Sequence, residues 1–406
     1  MYRKYSGTSL AKRTKLIHQL HSVMKKLLNL SFAAAFLASC APQQPANQFT
    51  LSGTISGVDG QYIYMGYAPN DSTVINDSIL ISNGTFEFKG TLDKPCVQGQ
   101  IYMGDASDWQ NKQRCRLFLE PKTMTIAIDA ENFSTPEIQG SLAQAQEDSL
   151  NAAIKIIQEE AAGLYKALEA ETDHEKAADI REQLEPYQDR MRAVQVEFVK
   201  THPNSFISPY YMRFLMGNMT YSEIKAIYDS FSSEVKQYGG VEEIEKELAA
   251  LANVQPGAMA PDIRKEDVNG DTVSISALKG KVVLVDFWAS WCVPCRKSFP
   301  HEKALYEKYH KKGFEVFCVG DNDSTPDKWK EAIKQDGVEK FYHVLRGLRS
   351  YKDENGRRQF DRSQDVSDRY AIHYLPTKYL IDREGKIVGK FNDEELDAKL
   401  KEMFGE

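Results

Sequence analysis

Val285-Asp286-Phe287-Trp288-Ala289-Ser290-Trp291-Cys292-Val293-Pro294-Cys295 decides the reading of the last third of this chain. Together with Lys281-Val282-Val283-Leu284 before it, its first half is an apolar run interrupted by one acid. That is the pattern of a central strand buried on both faces. Beyond Cys295 a helical pattern continues to about residue 312, so the Cys-X-X-Cys lies where a strand gives way to a helix. The first thiol then sits at a helix N-terminus, where unpaired N–H groups and the macrodipole stabilise a thiolate. The second, three residues on, is within reach of the first sulfur and can resolve a mixed disulfide. Pro294 suits the first helical turn and stiffens it. The spacing therefore predicts that Cys292 attacks and Cys295 resolves. Two other readings of the pair stay open, a structural disulfide and half of a zinc site. Zinc would need a second Cys or His pair at ligand spacing, and none follows.

Working outward, Phe314-Glu315-Val316-Phe317-Cys318-Val319 reads as the next strand and residues 329–336 as a helix. Lys378-Tyr379-Leu380-Ile381-Asp382 and Lys386-Ile387-Val388-Gly389-Lys390 read as a hairpin, and residues 393–404 as a final amphipathic helix. Strands alternating with helices predict an α/β sheet with helices on its faces, over residues 254–406. The Pro/Gly-bearing stretch Val254-Gln255-Pro256-Gly257 opens that domain. Residues 347–365 are a charged insert, read as a solvated loop in preference to a surface for partner choice.

Residues 141–253 are rich in Ala, Glu, Lys, Gln and Leu with three- and four-residue apolar spacing, which predicts a helical region broken at His202-Pro203-Asn204-Ser205. The run Glu242-Glu243-Ile244-Glu245-Lys246-Glu247 reads as a solvated helix face. Residues 49–140 show period-two runs divided by Gly and Asn turns, such as Gln61-Tyr62-Ile63-Tyr64-Met65, and predict an antiparallel β-sandwich. The aromatics Tyr62, Tyr64, Tyr67 and Trp109 are expected to serve packing rather than a ligand cleft. Residues 41–48 read as a tether.

From Met24 the chain shows Lys25-Lys26, an apolar run over residues 27–37, then Ala38-Ser39-Cys40. That order describes a secretory signal. A run of about eleven residues is short of the ~20 that a membrane-spanning helix needs. A chain of 406 residues with 42% hydrophobic and 27% charged content is ordinary for a multidomain folded protein. Its net charge of -7 argues against a nucleic-acid partner. Six cysteines are present. Cys318 reads as a small core residue, and Cys96 and Cys115 either bridge two strands or stay free. His301 reads as a helix-surface residue.

Val285 through Cys295 closely resembles thioredoxin, and the flanks resemble its membrane-associated TlpA/ResA branch. The resemblance covers residues 257–404 and includes Ala260-Pro261-Asp262, Leu278-Lys279-Gly280-Lys281, Pro300 and Leu375-Pro376-Thr377. It implies that Asp286 is the buried carboxylate exchanging protons with Cys295. It implies a cis Pro376 facing the disulfide, with Trp291, Pro294, Leu375 and Thr377 completing the substrate-binding surface. Ser298 departs from the branch, which often has a glutamate there; Glu302 lies one helical turn further on, a substitute or a bystander. The strand at residues 314–319 carries no lysine, leaving Asp286 without an assigned cation. Leu37-Ala38-Ser39-Cys40 resembles the lipobox of bacterial lipoproteins, which implies lipidated Cys40 as the first mature residue. The other reading there is an ordinary signal peptide with an incidental cysteine. Gly53-Thr54-Ile55-Ser56-Gly57 and Asn83-Gly84-Thr85-Phe86 resemble the DUF4369-like β-rich domain of Bacteroidetes lipoproteins.

These resemblances imply an envelope thiol–disulfide oxidoreductase facing the periplasm, needing no cofactor and no metal. Its partners would be disulfide-bearing exported proteins, with cytochrome c maturation as one client pathway, and a membrane electron donor for re-reduction. The rival is a redox-sensing or partner-binding lipoprotein whose thiol pair does not turn over.

Overall fold

Alternating burial runs along the first strands of the protein, as period-two sequence dictates. The computed structural model describes residues 45–105, 110–354 and 356–405, without the side chains of 174 and 175. The signal segment, Cys40, residues 41–44 of the tether and Trp109 lie outside the described residues. Strands β1 (Gln48–Ser56), β2 (Tyr62–Tyr67), β3 (Ile75–Leu80), β4 (Thr85–Thr91), β5 (Val97–Tyr102), β6 (Arg114–Leu119), β7 (Thr123–Asp129) and β8 (Glu137–Gln139) form two sheets, ordered β4-β1-β7-β8 and β3-β2-β5-β6. Phe49, Leu51 and Phe88 from one sheet and Ile63, Met65 and Ile101 from the other share one core. One pair departs from the antiparallel expectation: β1 and β7 run parallel, Thr50 opposite Thr123. Alternation fixes which face of a strand is buried, not the direction of its neighbour. The turn into β4 uses Asn83 and Gly84 at φ 53° and 67°, left-handed conformations those two residue types tolerate.

The helical region comprises α1 (Leu142–Glu160), α2 (Ala162–Ala170), α3 (His174–Thr201), α4 (Ile207–Leu215), α5 (Tyr221–Ser230), α6 (Ser233–Tyr238) and α7 (Glu242–Ala252). Ser141 caps α1 by accepting from the Gln144 amide, and Thr220 with Glu223 forms a capping box on α5. In α7, Glu242, Glu243, Glu245 and Lys246 are solvated as expected, whereas Glu247 is buried.

The last region begins with the small pair β9 (Arg264–Glu266) and β10 (Thr272–Ser274), followed by β11 (Val282–Trp288), α8 (Val293–Tyr309), β12 (Phe314–Gly320), α9 (Pro326–Asp336) and β13 (Tyr342–Leu345). Then come β14 (Arg349–Lys352), β15 (Arg358–Asp361), α10 (Val366–Arg369), β16 (Thr377–Ile381), β17 (Ile387–Lys390) and α11 (Asp393–Phe404). The central sheet has order β13-β12-β11-β16-β17. β11 is parallel to β12 and antiparallel to β16. Every residue of β11 and β12 is buried, as their near-continuous apolar sequence requires. Trp288, Phe299, Phe314 and Leu396 fill the core on one face, and Val283, Phe287, Phe317 and Tyr370 the core on the other. Each large side chain so buried contributes about 1.5–3 kcal/mol. The insert expected as a loop is instead the hairpin β14–β15, almost wholly exposed. All these elements lie in one compact unit, Ala46–Glu406. Among the described residues no helix is long and apolar enough to cross a membrane.

Candidate active site

The end of β11 is pinned before the cysteines begin. The Asp321 amide donates to the Trp288 carbonyl at 2.8 Å. Asn322, 1% exposed, accepts from the Ser290 amide at 2.8 Å and donates to the Ser290 hydroxyl at 2.7 Å. Cys292 is the N-cap of α8 in extended backbone geometry, and the Cys295 amide donates to its Sγ at 3.3 Å. Pro294 lies in the first turn. Arg296 forks onto Asp336 at 2.7 and 2.9 Å, tying that turn to the end of α9.

Cys292 and Cys295 are joined in a disulfide, with Cα atoms 5.4 Å apart. The two sulfurs are not equivalent to a partner, because Cys292 keeps 5% exposure and Cys295 none. Trp291 and Val293 flank the opening at 64% and 60% exposure. The Leu375–Pro376 peptide bond is cis. Leu375 packs against the core cluster that contains both cysteines. Trp291, Phe287, Arg346, His373, Tyr374 and Leu375 line a pocket of about 140 Å³. Thr377 is not on this open face. Its side chain is buried, and its hydroxyl donates to the Tyr374 carbonyl at 2.8 Å.

Beneath the pair lies a polar cluster that the sequence leaves unassembled. Asp286 is wholly buried and neither carboxyl oxygen has a hydrogen-bond partner. Burial first, then the nearby Glu302 carboxylate, pushes its pKa well above the usual carboxylate range, against the pull of Lys378. Glu302 is also wholly buried, and Asp286, Glu302 and Cys318 bring an oxygen, an oxygen and a sulfur within 4.8 Å of one another. Glu302 is therefore no bystander; one further turn of α8 returns its side chain to the face of Cys295 and Ser298. The missing cation also comes from an unexpected strand. Lys378 on β16, opposite Asp286, places Nζ 2.8 Å from Glu302 Oε1 and 2.5 Å from Asp393 Oδ1. Burial opposes its charge, but Glu302 and Asp286 outweigh burial and hold the ammonium above the usual lysine range. The Ser298 hydroxyl lies 2.9 Å from the Cys295 carbonyl and 3.0 Å from Glu302 Oε1, with one proton for both, and accepts from Lys378 at 2.9 Å. On distance alone the trio could hold a small cation; the Lys378 ammonium already fills that electrostatic place.

Cys318 is buried as expected, and burial, then the charges of Asp286 and Glu302, keep its thiol protonated. His301 bonds to Asp397 at 2.8 Å rather than to the cysteines. Cys96 and Cys115 are free and buried. Cys115 faces Ile101 across the sheet, and Cys96, just ahead of β5, stands five positions before Ile101, about 16 Å at a strand's rise. That is far outside disulfide reach. Lys378 and Asn322 are the site residues that sequence reasoning missed; Ser298 and Glu302 stand out in the sequence but without a role. The available signal was a lysine inside an otherwise buried strand.

Comparison with known proteins follows the same division. Residues 255–404 match the Redoxin family, and residues 49–146 match a domain of unknown function, DUF4369. Thiol-disulfide oxidoreductase ResA of Bacillus thuringiensis (strain Al Hakam) is 33% identical over 160 residues, covering 38% of this chain and 83% of that protein. ResA of Bacillus subtilis (strain 168) is 33% identical over 141 residues, covering 35% of this chain and 69% of that protein. The solved thioredoxin domain of a thiol-disulfide oxidoreductase from Bacteroides vulgatus is 32% identical, with a TM-score of 0.31, covering 37% of this chain and 98% of that one. The chain belongs to the thioredoxin-like, ResA-type thiol–disulfide oxidoreductases, with a DUF4369 domain ahead of its redox domain.

Proposed function

We propose that this oxidoreductase reduces disulfides of exported client proteins at the bacterial envelope, tethered through lipidated Cys40 and facing the periplasm. The observation that carries the reading is the asymmetry of the pair. Cys292 caps α8 and is the cysteine a partner can touch, while Cys295 is sealed behind it. In the reduced form the Cys292 thiolate attacks one client sulfur; a Cys292–client bond forms, the client S–S bond breaks, and the second client sulfur leaves as a thiolate. Cys295 gives its proton towards Asp286 and attacks the Cys292 sulfur. The client's first sulfur then departs, and both client thiolates take up protons. The client has gained two electrons and the protein holds the Cys292–Cys295 disulfide. A membrane dithiol donor restores it. A carboxyl raised well above the usual range, as Asp286 is, exchanges protons with a thiol more evenly than an ordinary one. Trp291, Pro294, Leu375 and Pro376 form the docking surface around the opening.

Insulin reduction with dithiothreitol as the donor tests this. Many turnovers per chain are expected. Oxidation that stops at one equivalent would instead favour a redox sensor.

A further inference from the structure

Glu247 breaks the solvated pattern of its own helix. It sits in a run of solvated charges on α7 yet is 8% exposed. A buried carboxylate must find a donor. Glu247 finds one 126 residues away, where His373 Nε2 lies 2.7 Å from its Oε1. His373 stands three residues before Pro376 and lines the pocket shared with Trp291, Tyr374 and Leu375.

The contact is supported on other sides. Gly217, between α4 and α5, packs bare backbone against the imidazole; a Cβ there would stand 3.4 Å from His373 Cβ and Cγ. Lys246, beside Glu247, lies 3.8 Å from Asp368 on α10, where the segment leading to Pro376 begins. Leu251 and Val254 pack into the same core as Tyr370 and Ile372. The segment from α10 to Leu375 thus rests on the helical region at both ends and along its apolar side.

We propose that the helical region is a positioning support for the client-binding loop, with Glu247 holding His373 so that Tyr374, Leu375 and Pro376 meet an extended protein segment bearing the attacked disulfide. Glu247 is a positioning residue and touches neither client nor cysteine. This rests on the client-reducing function proposed above. A protein client needs the loop in place, whereas a small soluble disulfide needs only the opening at Cys292, and the two substrates separate the two claims.

The test uses the full chain with insulin and with 5,5′-dithiobis(2-nitrobenzoate). Glu247→Ala should raise KM for insulin about tenfold, the worth of one charge-assisted hydrogen bond, with kcat little changed. Reduction of the small disulfide by the prereduced chain, followed over a single turnover with no other thiol present, should be unaffected. Glu247→Gln, whose amide oxygen still accepts from His373, should recover most of the loss. Should Glu247→Ala fail to fold, Glu247→Asp, one methylene short of His373, provides the same comparison. An unchanged insulin KM, a parallel loss on both substrates, or a Gln variant no better than Ala overturns the proposal. Absence of small-disulfide reduction by the unmutated chain would instead overturn the redox reading beneath it.

Discussion

Lys378 stands directly across the β11–β16 pairing from Asp286, a single ammonium set among carboxylates from three elements. Glu302 on α8 and Asp393 at the start of α11 both bond to it, and Asp286 does not. The cluster beneath the redox pair is therefore short of positive charge, and Asp286 is the member whose carboxyl is pushed well above the usual range.

Removing the ammonium should be costly. Lys378→Met strands Glu302 in a core with no cation, and breaking a buried pair in this way costs about 3–5 kcal/mol. Urea unfolding at pH 7 should show that loss, with the double variant Lys378→Met/Glu302→Gln recovering part of it. A single variant within about 0.5 kcal/mol of the parent would mean that the ion pair carries no stability.

Asp286 makes stability depend on pH in a direction opposite to a salt-bridged acid. Its folded pKa is raised, so the folded protein keeps a proton that the unfolded chain loses near pH 3.9. The associated stability is present below that pH and lost as pH rises through the raised value. Compared with Asp286→Asn, the parent should therefore lose ground steadily from about pH 4 upward. The same variant should slow resolution of the mixed disulfide by about a hundredfold, followed by stopped-flow Trp fluorescence.

Glu302→Gln removes a charge that raises Asp286. The pH midpoint assigned to Asp286 in the resolution rate should move to lower pH, while Ser298→Ala, which leaves that charge in place, should move it less. An unmoved midpoint in Glu302→Gln would detach Glu302 from the proton chemistry.

The remaining thiols should be silent. Burial pushes Cys115 up to about 12 and Cys96 higher still, so neither offers a thiolate at neutral pH. Native oxidised protein should leave Cys96, Cys115 and Cys318 unalkylated, and denaturant should release all three. Finding Cys96 joined to Cys115 by mass spectrometry would contradict the strand register of β5 and β6.

What the sequence made legible followed from local pattern. The apolar run into Cys292, the alternation in β1 and β7, and the periodicity of α11 each depend on neighbours a few residues apart. The missed features depend on pairings across the chain. Asp286 meets Lys378 only through strand register, and β16 carries that lysine in a position where spacing alone suggests exposure. Glu302 is a charged residue on a helix, which is ordinarily solvated; its burial comes from packing against α11 and β16. The hairpin β14–β15 escaped because both of its faces are wet, so no alternation marks it. The parallel β1–β7 pair escaped because period two carries no direction.

Thiolate reactivity at residue 292 tests the central claim most directly. Reduced protein is alkylated with iodoacetamide between pH 4 and 10 and the rate at each cysteine is read by mass spectrometry. The Cys292 rate is expected to reach half its plateau well below the ordinary cysteine pKa of about 8.5, with Cys295 slower throughout. A Cys292 that titrates like free cysteine, or one slower than Cys295, would contradict the account.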